Sequence, residues 1–169
     1  MIYFAYGSNM HPERLRQRVP SREVIATSVL SGFRLTFHKR GGDGSGKCAV
    51  LPAEASAAVH GVIYRMSPSH RPALDLAENT HGGGYVATEV AVDAPDGRRF
   101  EAFTYVPPSN QIDASLKPFD WYKAFVVEGA RHHGLPQDYL DELLGIHAIA
   151  DQNAARAALN RKILAALMG

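Results

Sequence analysis

The chain has 169 residues, of which 46% are apolar and 21% charged, and this globular composition excludes disorder over most of its length. The net charge of +1, from 18 basic and 17 acidic residues, argues against a dedicated nucleic-acid binder. The single cysteine cannot form an internal disulfide, no apolar run is long enough to span a membrane, and no signal-peptide pattern is visible, so we expect a cytoplasmic protein.

Strands dominate the elements predicted for the first part of the chain. Apolar and alternating stretches predict strands over residues 2–6, 23–30, 33–38, 49–51 and 58–66. A short basic helix is predicted over residues 12–18, which begin with a proline suited to a first turn. A second helix is predicted to begin with Ser67 as its cap and Pro68 in its first turn, and to end near Glu78.

The later part of the chain changes from strand to helix. Residues 85–93 and 99–106 alternate on either side of a Pro-Asp-Gly turn, which predicts a hairpin. Beyond it, apolar periodicity predicts helices over residues 119–133, 136–144 and 151–168. Gly134 is expected to end the first of these helices, and Asp151 is a candidate cap for the last.

This order of elements predicts one α+β domain over residues 1–169, strand-rich over 1–106 and helical over 118–169. Because the helices follow the strands rather than alternating with them, we expect a curved or closed sheet that is covered on its flank by helices.

A glycine-rich segment over residues 41–48 nearly matches a phosphate-binding loop, but Cys48 stands where a Ser or Thr should follow the lysine. An extended stretch follows instead of the helix that phosphate binding needs, so we expect a mobile loop without bound nucleotide. The thiol of Cys48 is expected to be inert. The 8 histidines have no metal-ligand spacing and are expected on the surface or in loops, with none catalytic.

Two other segments carry possible site chemistry. Consecutive amides of the turn Tyr6-Gly7-Ser8-Asn9 could bind an anion or an oxyanion, although the same residues also form a simple turn. Ser8 is not favoured as a nucleophile because no G-x-S-x-G elbow surrounds it. Glu78 is predicted at the negative end of a helix dipole, which suits a general base, although a solvated carboxylate near a helix end would look the same.

Taken together, these segments resemble the γ-glutamylcyclotransferase family. The resemblance covers roughly residues 2–145 and rests on an ordered set of motifs: Tyr6-Gly7-Ser8-Asn9, Gly61-Val62-Ile63-Tyr64, Leu74-Asp75 with Glu78 and Gly84-Tyr85, and Tyr122-Lys123 with Gly129-Ala130. It implies a small mixed β-barrel with flanking helices. It also implies an enzyme that cleaves a γ-glutamyl amide when the substrate's own α-amine attacks the γ-carbonyl, releasing 5-oxoproline and an amine or amino acid.

The resemblance also implies roles for individual residues. Glu78 maps onto the family's general acid/base, and the loop of Tyr6, Gly7, Ser8 and Asn9 maps onto the glutamyl cradle. Tyr85 and Tyr122 match motif tyrosines that would line the pocket, with a hydroxyl able to hydrogen-bond the substrate or the catalytic carboxylate. The implied reaction needs no cofactor and no metal.

Several alternatives stay open at this stage. Asn79 stands where a glycine often follows the glutamate, and the glycine run 82–84 suggests a flexible pocket wall, so the substrate is undecided. Candidates are γ-glutamyl dipeptides, γ-glutamylamines and γ-glutamyl biosynthetic intermediates; glutathione-degrading relatives are less similar. The expected partner is a small γ-glutamyl compound, without nucleic acid or membrane, and a homodimer is compatible with the sequence. The competing functions are a non-catalytic carboxylate-binding or assembly domain of the same fold and a phosphate-loop nucleotidase.

Overall fold

Seven strands and five helices form the part of the chain, residues 1–166, that the computed structural model describes. The strands are β1 (Ile2–Ala5), β2 (Glu23–Ser31), β3 (Phe33–Arg40), β4 (Gly46–Pro52), β5 (Ala58–Arg65), β6 (Val86–Asp93) and β7 (Arg99–Val106). The helices are α1 (Pro12–Arg18), α2 (Arg71–Ala77), α3 (Asp120–His132), α4 (Gln137–Gly145) and α5 (Ala154–Ala165). None of the helices in this described part is both long and apolar enough to cross a bilayer.

Five strands close into a barrel in the order β1-β5-β2-β6-β7. Strand β1 pairs antiparallel with β5 and parallel with β7, so the sheet is mixed, and β3 and β4 form a separate antiparallel pair. Closure buries the short apolar β1 on both faces, with Tyr3, Phe4 and Ala5 each less than 5% exposed. The predicted α+β class and small mixed barrel with flanking helices are confirmed.

Helix α3 fixes the turn that follows β1. A Cβ atom added at Gly129 would lie 2.7 Å from the backbone nitrogen of His11, so the absence of a side chain allows α3 to pack directly on this turn. The carbonyl of Met10 is 3.0 Å from Nε2 of His133, which also lies 2.9 Å from the Tyr64 hydroxyl. Helix α3 and the residue that follows it therefore fix the position of this turn.

Four local predictions need correction. The turn at Ser67 is a 3₁₀ turn that Ser67 does cap, and the α-helix begins only at Arg71. Helix α5 is capped by Asn153, whose side chain accepts from the amide of Arg156, while Asp151 instead pairs with the Arg156 guanidinium. The predicted end of this helix, at residues 167–168, lies outside the described residues.

The other two corrections concern the histidines and the glycine-rich segment. His11 is fully buried and caps α1 by accepting from the amide of Arg14, so it is neither a surface nor a loop residue. Burial lowers the pKa of His11 to about 4, which keeps the ring neutral and able to accept that bond. The segment 41–48 is a loop only over residues 41–45, because β4 begins at Gly46.

Candidate active site

Glu78 lies directly after the last residue of α2, where its backbone amide still bonds to the carbonyl of Leu74 at 3.0 Å. Its side chain turns inward and is only 14% exposed. The carboxylate oxygen Oε1 accepts from Asn9 Nδ2 at 2.9 Å and from Arg18 Nη1 at 3.0 Å. The structure therefore brings Glu78 to the turn after β1, across 69 residues of sequence.

The amide of Asn9 organises this contact. Its Nδ2 donates to the Tyr3 hydroxyl at 2.8 Å as well as to Glu78, and its Oδ1 accepts from Arg18 Nη1 at 2.6 Å. A carboxylate can only accept and a guanidinium can only donate, so the orientation of the amide is fixed by its neighbours. Asn9 thus ties the carboxylate, a buried tyrosine and an arginine into one network.

The backbone after Glu78 explains the unusual Asn79. Asn79 has φ 53° and ψ 42° and is the one residue other than glycine with positive φ among the described residues. Asparagine tolerates this left-handed conformation better than most residues other than glycine. The backbone conformation therefore explains why asparagine can stand at a position that also suits glycine. The amide of Gly84 then bonds to the carbonyl of Asn79 at 2.8 Å, so the chain folds back on itself directly after Glu78.

We expect Asn79→Ala to lower the free energy of unfolding by about 1 kcal/mol, because a Cβ without a polar group is strained in this region. Asn79→Gly should be as stable as the parent. Denaturant titration of the three proteins tests this, and equal destabilisation by both substitutions would show that side-chain contacts of Asn79, not its backbone conformation, are what matters.

Glu78 and the turn line a common inner chamber of about 30 Å³. Its lining is mostly tyrosine and small polar groups: Tyr3, Tyr6, Gly7, Ser8, Asn9, Cys48, Glu78, Tyr85, Tyr105 and Tyr122. All seven residues that the sequence singled out for the site are among them. The glycine run 82–84, which was expected to form a flexible pocket wall, lies outside this lining. Gly82 lies against the side chain of Asn79, and Gly84 against the carbonyls of Glu78 and Asn79.

The tyrosine hydroxyls are used in different ways. Tyr6 donates to the carbonyl of Tyr105, and Tyr85 donates to the carbonyl of Cys48 at 2.7 Å. The hydroxyl of Tyr122 instead accepts from the amide of Cys48 at 3.2 Å, which leaves its own proton available. Burial raises the pKa of all three phenols well above the ordinary value, so they remain neutral donors and acceptors.

Gly7 allows β4 to approach the turn. A Cβ atom at this position would lie 3.0 Å from the Cβ and 3.2 Å from the Sγ of Cys48. The backbone φ of Gly7 is −117°, so the requirement is for space rather than for positive φ. Cys48 is buried, and burial raises the pKa of its thiol to about 12. The thiol therefore stays protonated and unreactive, and Cys48 acts as a packing residue.

The turn after Gly7 lines the chamber and contains two backbone amides without an acceptor inside the turn. Residues Ser8–Met10 form one 3₁₀ turn, whose first internal bond is donated by the amide of Met10 to the carbonyl of Gly7 at 3.0 Å. The amides of Ser8 and Asn9 precede that bond and have no intrahelical acceptor. The Ser8 hydroxyl accepts from Arg14 Nε at 3.1 Å, which does not activate it as a nucleophile.

An outer chamber of about 300 Å³ adjoins the inner one and shares Ser8, Glu78, Tyr85 and Tyr122 with it. Its remaining lining includes Gly41 and Gly42, so the glycine-rich segment borders the site rather than lying apart from it. Lys47 bonds to Asp43 at 2.7 Å and lies 4.6 Å from the centre of the Tyr122 ring. A phosphate-binding loop needs a free lysine and a following helix, whereas Lys47 is already paired with Asp43 and lies in a strand.

Sequence reasoning missed four residues of the inner site and its network: Tyr3, Arg18, Cys48 and Tyr105. Arg18 carries no local signal, since a basic residue at the end of a short helix is ordinary. Asp75, one turn before Glu78 on α2, belongs to the motif that the sequence singled out. Its carboxylate accepts a hydrogen bond from the Tyr105 hydroxyl at 2.5 Å, and this contact is visible only in the structure.

Comparison with known proteins agrees with this geometry. The model of the AIG2-like family matches residues 58–143. The chain is 33% identical over 149 residues to mouse gamma-glutamylcyclotransferase and 32% identical to the human protein, in each case covering 86% of this chain and 78% of the relative. A solved structure described as gamma-glutamyl cyclotransferase superposes with a TM-score of 0.85 at 26% identity, covering 96% of this chain and 98% of that one.

The mixed barrel and its enclosed carboxylate define an enzyme of the γ-glutamylcyclotransferase type. The chain belongs to the AIG2-like family, with the gamma-glutamylcyclotransferases of mouse and human among its relatives.

Proposed function

We propose that this enzyme converts a γ-glutamyl amide into 5-oxoproline and a free amine, with Glu78 as general acid/base. The observation that carries the proposal is the placement of Glu78 in the same chamber as the turn of Gly7, Ser8 and Asn9. A non-catalytic binding domain would not need a carboxylate that two side-chain donors hold beside this turn.

The reaction begins with the substrate's α-ammonium group against the Glu78 carboxylate. Arg18 and Asn9 both hold Oε1, so Oε2, which has no hydrogen-bond partner among the described residues, is left to take the ammonium proton. The freed α-nitrogen then attacks the γ-carbonyl carbon of the same molecule, which closes a five-membered ring. Since the nucleophile is tethered, the chamber contributes mainly by holding the substrate in its folded conformation.

Ring closure places negative charge on the former carbonyl oxygen. The amides of Ser8 and Asn9 supply donors for that oxygen, with the Tyr122 hydroxyl proton available beside them. Glu78 passes its proton to the leaving nitrogen and then takes the second proton from the ring nitrogen. The oxyanion re-forms the carbonyl as the bond between its carbon and the leaving nitrogen breaks, and the amine departs with that second proton as an ammonium. The atoms of the substrate are then divided between 5-oxoproline and the amine, with no water, metal or cofactor consumed. A reaction that needs only the substrate and the enzyme is compatible with a cytoplasmic enzyme that acts on a small metabolite.

A panel of γ-glutamyl compounds tests the proposal. Dipeptides, alkylamides and the ε-amide of lysine would be incubated with the enzyme, and 5-oxoproline would be measured by chromatography. We expect 5-oxoproline and the matching amine in equal amounts from at least one of them. Release of glutamate instead of 5-oxoproline would contradict the intramolecular attack, and no turnover at all would favour the binding-domain alternative.

A further inference from the structure

The helix that carries Glu78 buries only one of its own side chains. Helix α2 has seven residues, of which Leu74 alone is buried, and Leu76 is 77% exposed. A helix of this length is unstable by itself and takes its position from tertiary contacts. Since Glu78 directly follows the last residue of α2, the contacts that fix this helix also fix the carboxylate.

Asp75 links this helix to strand β7 of the barrel. Its Oδ1 atom accepts from the hydroxyl of Tyr105 at 2.5 Å and from Nε of Arg71, on its own helix, at 2.7 Å. The Arg71 guanidinium also lies over the ring of Phe103, 4.1 Å from its centre. Tyr105 and Phe103 both belong to β7, so two side chains of α2 hold the same strand.

Local helix chemistry does not account for an aspartate at this position. Asp75 lies in the last turn of α2, where the helix dipole disfavours a negative charge, and aspartate is a weak helix former. The pair with Arg71 also runs in the less favourable direction, with the cation on the N-terminal side. The contact that an aspartate does supply here is the tertiary one, as the acceptor for Tyr105.

Tyr105 carries this link into the inner chamber, because it is part of the chamber lining. Burial and the bond to Asp75 raise the pKa of Tyr105, so its hydroxyl remains a donor. Its ring packs edge-on against Tyr3, with 5.9 Å between the ring centres. The Tyr3 hydroxyl accepts from Asn9, which also holds Glu78. The carboxylate is thus fixed from two directions, by its own helix and by the turn after β1.

We propose that Asp75 is a positioning residue that sets, through its bond to Tyr105, where Glu78 stands in the chamber. Without that bond α2 shifts on the barrel, and Glu78 moves away from Asn9 and Arg18. The inference rests on the proposed function, in which Glu78 must reach the substrate's ammonium group and then the leaving nitrogen. Misplacing a reacting group by about 1 Å can lower a rate by about 100-fold.

Asp75→Ala removes the link and changes no residue of either chamber lining. We expect kcat for 5-oxoproline release to fall by about 10- to 100-fold, with KM changed by less than about threefold, because the residues that bind the substrate are retained. Asp75→Asn should stay within about threefold of the parent kcat, since Oδ1 accepts both bonds and the amide keeps that oxygen. If Asp75→Asn is as slow as Asp75→Ala, the charge of Asp75 and not its bond is responsible, and the inference fails.

Tyr105→Phe breaks the same bond from the side of the strand while keeping the ring in the chamber lining. It should lower kcat about as much as Asp75→Ala. The double variant should be no slower than the slower of the two single variants, because both substitutions remove one shared interaction. Additive losses would mean that the two residues act separately and would overturn the inference. Tyr105→Phe also serves as the test if Asp75→Ala does not fold.

Two further comparisons separate positioning from a general effect on the fold. In the Glu78→Gln background, Asp75→Ala should lower kcat by less than about a further twofold, because the group that it positions is already gone. An equal loss in both backgrounds would show a merely structural role. Asp141→Ala is the matched control, since Asp141 lies on α4, accepts from Gln137 at 2.8 Å and lines neither chamber. It should keep the parent kcat; a loss like that of Asp75→Ala would overturn the inference.

Crystal structures of the parent and the Asp75→Ala protein need no turnover, so they test the inference even if the enzyme releases no 5-oxoproline. We expect the distance between Glu78 Oε1 and Asn9 Nδ2, 2.9 Å in the parent, to exceed about 3.5 Å in the variant, beyond the reach of a hydrogen bond. An unmoved Glu78 would overturn the inference whatever the activity. A displaced Glu78 in a protein that makes no 5-oxoproline would support the positioning role and contradict only the proposed function.

Discussion

Glu78→Gln should lower kcat for 5-oxoproline release by at least about 100-fold, the usual contribution of a positioned acid/base. The substitution keeps the size of the side chain and an oxygen that can still accept from Asn9 and Arg18. What is removed is the group that takes the ammonium proton and returns it to the leaving nitrogen. Steady-state kinetics on the best substrate of the panel measures the effect.

The control for this prediction is Glu89→Gln on the exposed face of β6, which removes the same charge far from the chamber lining. It should keep the parent kcat, and both variants should show the parent's circular dichroism and thermal midpoint. Full activity of Glu78→Gln would remove Glu78 from the mechanism. A folded but inactive Glu89→Gln would point instead to a general effect of charge.

Gly7→Ala should reduce both stability and activity. The new Cβ would lie 3.0 Å from the Cβ of Cys48, so either β4 or the turn must move. Overpacking of this kind costs about 1–3 kcal/mol. Displacing the turn also moves the amides and Asn9 away from Glu78, so we expect kcat to fall at least about tenfold. Denaturant unfolding and steady-state kinetics measure the two effects separately.

A second substitution, at Cys48, tests whether contact with this residue causes the loss of activity in Gly7→Ala. Cys48→Gly removes both atoms that the new methyl group would meet, so the double variant should recover part of the kcat lost in Gly7→Ala. Gly145→Ala at the end of α4, where an added Cβ meets nothing within 4 Å, should leave activity unchanged. Absence of any recovery in the double variant would mean that Gly7 matters for a reason other than its contact with Cys48.

Much of the local structure follows from short-range patterns. Helix α1 has the predicted bounds, and the hairpin of β6 and β7 turns at Gly97 with φ 85°, as a Pro-Asp-Gly turn favours. These elements depend on capping, turn chemistry and side-chain alternation, all of which act over a few residues. Where neighbouring candidates compete, as Asp151 and Asn153 do for the cap of α5, the pattern is ambiguous and tertiary pairing with Arg156 decides.

By itself, the sequence determined the fold class and the family resemblance, because both follow from short motifs and periodicities and from their order along the chain. It also singled out the segments that we propose for the site. Only the tertiary structure decided how those segments meet. Barrel closure brings Asn9 and Arg18 onto Glu78 across 69 and 60 residues. No spacing along the chain encodes such contacts, since they arise from the packing of whole elements and from the burial that follows.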